Sequence, residues 1–362
     1  MTQYYAIIGV ILFCWLVFEN HKGGEIRGGV EKGKMPGFVL IIFVAMTFVS
    51  GFRYRVGTDY ISYKLIFTGY FEESVAFFFE VKEPGSFFLA KIASFFYKDY
   101  AAVFFLFALL TIYYSLRTIG RWANDICFGI LLYMLLGSFH VSFNTVRQCL
   151  AVAIVFAGHR YIIDRKLIKY LLVCGVAMLF HVSAFFMVVP YFIATRKING
   201  MQLLIFLGII VVGWLSYEGM FGIAETLRDN PTIRTTRYSK RSINAIRVLV
   251  AWALVLVMYV LKGKRKWEDI PGMDETRLFF FNMLLFNAAI VTASMNSAYL
   301  ARLFIYTNMY ITIGLPLVVE MAPKKDRKWV VLIIIILFLG YWYTEAKDLR
   351  TFQWMWNRPS WE

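Results

Sequence analysis

The chain has 362 residues, 60% of them hydrophobic and 19% aromatic, with a formal charge of +15 and a mean hydropathy of +0.62. No soluble fold of this length can bury so much apolar surface, and in such a chain the charge belongs to loops beside anionic lipid, not to a nucleic-acid surface. A β-barrel is excluded as well, because runs such as WVVLIIIILFLGYW (329–342) do not alternate.

What remains is an all-α polytopic integral membrane protein, since lipid leaves only helices or closed barrels able to satisfy the backbone. It reads as a single transmembrane domain over residues 1–362. The first segment, MTQYYAIIGVILFCWLVFEN, lacks a basic start and a small-residue cleavage site, so it reads as an uncleaved anchor. Apolar runs near 4–19, 36–51, 100–116, 125–140, 145–162, 168–181, 182–195, 201–217, 245–261, 278–293, 303–319 and 329–344 predict about 12 spans, some short or broken. Cys14, Cys127, Cys149 and Cys174 fall inside these runs without a CxxC pair, which argues against disulfides and zinc.

Lys and Arg then sort the loops. HKGGEIRGGVEKGKMP, RTIGRWAN, RYIIDRKLIK, TRKING, KGKRKWEDIPGMDETR and PKKDRK hold 21 of the 38 basic residues. All six fall on one side if both termini face the other, which makes that side cytoplasmic. To keep this order, residues 84–97 (PGSFFLAKIASFFY) cannot cross and read as a re-entrant or interfacial helix on the outer face. Residues 168–195 must cross twice, and Pro190 with the polar pair His181 and Ser183 points to broken helices lining a cavity.

Arginines left on the outer side run against this bias. Arg53 and Arg55 follow the second span in FRYRVGTDYISY. Arg147 begins the fifth span, Arg302 the eleventh, and Arg234, Arg237 and Arg241 lie in a long outer loop. Any one of them alone could be a snorkelling anchor. Together with His140, His181, Thr58, Asp59, Asn144, Gln148 and Asn296 they suggest one polar site at the outer leaflet, to which the outer loops 52–99 and 218–244 contribute. Guanidinium forks match phosphate oxygens, so a lipid-linked pyrophosphate is the expected ligand. No Asp-x-Asp, GxxxxGKS or HExxH appears, and no metal or cofactor is expected. Acidic pairs such as Glu268–Asp269 and Asp274–Glu275 sit on the cytoplasmic side and read as salting that loop.

FRYRVGTDYISY, EPGSFFLAKI, FNTVRQCLAVAIVFAG, LFHVSAFFMVVPYF and ARLFIY, in that order, resemble the EpsG family of Wzy-type bacterial polysaccharide polymerases, over residues 50–320. The resemblance implies glycosyl transfer between undecaprenyl-diphosphate-linked oligosaccharides in O-antigen, capsule or exopolysaccharide assembly. The reaction would take place on the periplasmic or outer face of the bacterial inner membrane, beside a flippase and a chain-length regulator. By position it points to Arg53, Gly57, Thr58, Asp59, Tyr63, Glu83, Arg147, Gln148, His181 and Arg302. In this reading Gly57 lets the chain turn as it leaves the membrane, and Arg53, Arg55, Arg147 and the other arginines hold the diphosphate while Tyr63 and Asn144 contact substrate. His181 is the first candidate base, followed by Asp59 and His140. A lipid-linked saccharide flippase, a lipid-sugar ligase and a membrane O-acyltransferase remain open alternatives; no internal repeat supports the first.

Overall fold

A computed structural model describes residues 1–19, 36–215, 245–295, 300–346 and 351–360. The outer loop 218–244, with Arg234, Arg237 and Arg241, and Asn296 of the next outer loop lie outside the described residues. Within them the chain is almost wholly helical. The one sheet is a two-residue antiparallel ladder between β1 (Arg53–Tyr54) and β2 (Gln353–Trp354).

The bundle centre follows from helices that are apolar on every side. The helices α1 (Thr2–Cys14) and α2 (Gly37–Gly51) lean on α5 (Tyr100–Trp122) and α6 (Ile126–Leu135). Between them come α3 (Tyr60–Glu72) and α4 (Pro84–Phe96); α7 (Ser138–Val141) is a single turn after α6, and α8 (Val146–Gly158) packs along α5. Acidic side chains start the helices that need it. Asp99 accepts from the Ala101 N–H at 2.8 Å and Asp125 from the Phe128 N–H at 2.8 Å, so orphan donors at the first turns of α5 and α6 are satisfied.

The short turn α9 (Arg160–Ile163) leads into a hairpin. Its first leg is α10 (Leu167–Met178) and its second a 3₁₀ segment, Val182–Val188, running into α11 (Val189–Ile193). The Tyr170 hydroxyl donates to the Met187 carbonyl at 2.7 Å, and Arg165 donates to the Tyr191 carbonyl and the Thr195 hydroxyl. The chain therefore returns to the end it left, with His181 at the tip. Each leg of 12 residues is at most about 18 Å as α-helix, against a hydrocarbon core of about 30 Å.

The remaining helices are α12 (Gly200–Leu215), α13 (Ala245–Lys262), α14 (Glu275–Ala293), the bent pair α15 (Phe304–Asn308) and α16 (Ile311–Val319), and α17 (Arg327–Glu345). Buried α14 is stitched to its neighbours by amides. Gln202 donates to Asn282 at 2.9 Å and Asn287 to Thr307 at 2.8 Å, the polar glue expected between helices in lipid. The run 303–319 is not one straight span: the chain bends by 50° between its halves. Asn308 at the bend donates to Ser138 at 3.0 Å, so α7 meets the break with its own hydroxyl. Among the described residues five helices are long and apolar enough to cross a membrane, or six if the bent pair counts as one; the other apolar helices are shorter. This is an all-α membrane protein.

The basic loops gather at one end. Lys197 meets Glu268 at 3.1 Å, Arg277 pairs with Glu320, Arg265 donates to the Met321 carbonyl, and Trp122 packs on His159 beside Arg160. With Arg165 on the Tyr191 carbonyl and Thr195 hydroxyl, these contacts bring the segments of RTIGRWAN, RYIIDRKLIK, TRKING, KGKRKWEDIPGMDETR and PKKDRK to one end of the bundle. Asp274 caps α14, accepting from the Arg277 N–H at 2.8 Å. Since all four cysteines are buried, an impermeant thiol reagent reports only introduced sites. A cysteine at Lys98 should be labelled in intact cells, and one at Gly263 or Asp326 only after permeabilisation. The opposite pattern would invert the bundle.

Candidate active site

The site is built around one carboxylate. Glu83 stands at the N-terminal cap of α4, with Pro84 in the first helical position. Its Oε2 lies 2.7 Å from Arg147 Nη1, and its Oε1 accepts from the Val182 N–H at 3.2 Å and lies 3.5 Å from His181 Nδ1. Arg147 comes from the first turn of α8, and His181 and Val182 from the hairpin tip, so two separate segments converge on Glu83 at the start of α4. The Gly85 N–H donates to the Leu179 carbonyl at 2.8 Å. A Cβ on Gly85 would sit 2.8 Å from the Phe180 ring and 2.9 Å from that carbonyl, so α4 closes on the tip only because this residue is glycine.

A second set of groups extends the cluster. The Arg147 guanidinium lies 5.7 Å from the Tyr63 ring centroid, on buried α3 side chains. Ser183 Oγ is 3.1 Å from His181 Nδ1 and 3.0 Å from the Tyr306 hydroxyl. Gln148 donates to the Arg302 carbonyl at 2.8 Å, and the exposed Arg302 side chain is close enough to act electrostatically on His181. Arg147 Nε and Gln148 Oε1 are buried without a protein partner. Burying such atoms unpaired costs free energy.

The Gly-Thr-Asp loop leans on the segment just before α8. Gly57 has φ of 107°, and a Cβ there would meet the Phe143 carbonyl oxygen at 2.6 Å and Asn144 Oδ1 at 2.8 Å. Asn144 Oδ1 accepts from the Thr58 N–H at 2.7 Å, and Asp59 stands at the N-cap position of α3 without a side-chain capping bond, its Oδ1 3.4 Å from the Thr58 hydroxyl. Arg55 is exposed with φ of 51°, its guanidinium 5.4 Å from the Tyr54 ring.

Two residues are placed otherwise than their sequence suggests. Arg53, expected on a phosphate, is only 1% exposed; its guanidinium lies between the Phe104 and Phe143 rings at 4.9 and 4.8 Å and donates to the Ser50 carbonyl. Burial away from water lowers its pKa to about 10, which still leaves it charged. It anchors the loop from within. His140, a candidate base, is buried apart from Glu83, accepting from the Trp342 indole N–H at 3.3 Å with the Tyr4 ring 4.6 Å away. Sequence reasoning gave Glu83 no role and passed over Tyr306, whose only signal is its place in ARLFIY.

The paired carboxylate, guanidinium and imidazole thus stand at the hairpin tip of a helical membrane bundle. The EpsG family model matches residues 37–355, and the chain belongs to this family of Wzy-like polysaccharide polymerases. No curated protein and no solved structure matches it.

Glu83→Gln keeps the volume of the side chain and removes the charge that holds Arg147 and His181. It should cost roughly a hundredfold in turnover, the scale expected when reacting groups shift by about an ångström. The measurement is polymer formed per unit of folded protein. Gly57→Ala forces a Cβ into the Phe143 carbonyl, and its strain of about 1–3 kcal/mol should appear as a lowered melting temperature in detergent; an unchanged one would contradict the close approach.

Proposed function

We propose that this chain polymerises undecaprenyl-diphosphate-linked oligosaccharide repeats on the outer face of the bacterial cytoplasmic membrane. The observation that carries the reading is Arg147. It is fixed through one terminal nitrogen by Glu83, keeps a buried Nε without a partner, and stands beside His181 at the end away from the basic loops. Twelve crossings suit this reading, with the short helices and the hairpin serving as spans around a polar centre.

In the proposed reaction a hydroxyl at the non-reducing end of one lipid-linked repeat attacks the anomeric carbon of the chain carried on another. The C–O bond to the diphosphate breaks, and the lipid diphosphate leaves with both electrons. Arg147 and Arg302 stabilise the charge that develops on it. A neutral His181 takes the hydroxyl proton. Its Nδ1 accepts from the Ser183 N–H at 3.3 Å and lies 3.5 Å from Glu83 Oε1, so Glu83 stabilises the ring once it is charged. Arginines take the place a divalent ion would have, so polymer should form in EDTA.

The test is purified protein with lipid-linked repeat, analysed for a ladder of product. A ladder supports the polymerase; transfer to a lipid A core would mean a ligase, transfer of an acyl group an acyltransferase, and no new bond a transporter. Arg147→Lys should lose most polymerisation, because a single ammonium cannot serve Glu83 and two phosphate oxygens together. Near-full activity in that variant would make Arg147 a membrane anchor. His181→Ala should lower kcat by roughly 10²–10⁴-fold with little change in KM; an unchanged kcat would pass the base role to Asp59.

A further inference from the structure

A polar cavity lies beside Thr58 and Asn144, outside the residues around Glu83. It has a volume of about 160 Å³ and lies between the end of α6, α7, the start of α13, α15 and the end of α17. Arg247 at the start of α13 reaches Glu345 at the end of α17 with a fork, Nε to Oε1 at 3.3 Å and Nη2 to Oε2 at 2.5 Å. Tyr341 bonds the same guanidinium, and Phe304 lies under it at 5.1 Å. Thr58 and Asn144 line the opposite wall.

We infer that this cavity binds one uncharged sugar ring of the lipid-linked substrate, read by Arg247 and Glu345. Three observations carry it. The cavity's two charges cancel: a phosphate here would face Glu345, whereas sugar hydroxyls can donate to its carboxylate and accept from Arg247. Asn144 Oδ1 is taken up by Thr58, which leaves its amide NH₂ to donate. Phe304 and Tyr341 supply the apolar faces that pyranose C–H groups pack on, and the volume suits one ring, not a chain.

Position supplies the link to the substrate. Asn144 is three residues from Arg147, and Phe304 is two from Arg302, so the same stretches of chain build the neutral cavity and the cationic cluster. In a lipid-linked saccharide, sugar and diphosphate are likewise joined directly. The inference takes its ligand from the polymerase reading.

The experiment uses the full chain in detergent with two probes. One is the lipid-linked oligosaccharide extracted from a strain lacking this chain; the other is sugar-free undecaprenyl diphosphate. Glu345→Gln should weaken binding of the first by about tenfold or more, the scale of a lost hydrogen bond to a charged group, and leave the second unchanged. Arg147→Ala should weaken both. Should Glu345→Gln fail to fold, Tyr341→Phe, which removes one hydroxyl, should show the same selective loss. Equal effects on both probes, or none, would overturn the sugar site. Wild-type protein that binds the sugared lipid selectively but forms no polymer would instead refute the polymerase reading and leave the cavity standing.

Discussion

The arrangement of the site depends on the pairing of Glu83 with Arg147. Taking a carboxylate and a guanidinium out of water costs several kcal/mol each, and removing either one strands the other at a cost of about 3–5 kcal/mol when fully buried. With side-chain exposures of 12% and 25%, this pair is shielded enough for that constraint to matter. Glu83 meets it by collecting three donors at once: Arg147, the Val182 N–H and, when protonated, His181 Nδ1. Because those groups come from α8 and the hairpin tip while Glu83 begins α4, satisfying one charge locates three segments.

The same rule governs the rest of the bundle. A short or broken helix in lipid exposes backbone groups that only protein can satisfy. Each break here has a polar side chain beside it. Asn308 meets Ser138 at the bend between α15 and α16, and Tyr170 reaches the Met187 carbonyl in the 3₁₀ leg. The irregular helices are thus tied to specific hydroxyls and amides, and those ties let the hairpin tip stand in a fixed place beside the reacting groups.

Much of this was legible in the chain. Loop charge predicted which segments share an end, and the structure joins five of the six basic loops there. The arginine in FNTVRQ and the histidine in LFHVSA, both singled out in the sequence, stand together against Glu83. Arg53 misled because charge alone cannot tell a guanidinium facing phosphate from one stacked between Phe104 and Phe143, rings 39 residues apart in sequence. Glu83 carried no signal beyond the family resemblance, since an acid beside a proline reads as an ordinary helix start. The Arg247–Glu345 fork was invisible for a similar reason: its halves end spans 98 residues apart, and nothing in either span announces the other.

The geometry at Arg147 bears on how a resting ion pair can also be a substrate clamp. If the diphosphate had to displace Glu83, binding would strand a buried carboxylate and lose much of what it gained. The guanidinium avoids this because its donors fan out in one plane. Glu83 occupies Nη1, while Nε, on another edge, has no protein partner. In the proposed reaction a phosphate oxygen would approach that edge, which the protein buries at rest, with the Glu83 contact intact. Lysine, with one nitrogen at the end of a flexible stem, has no second edge to offer.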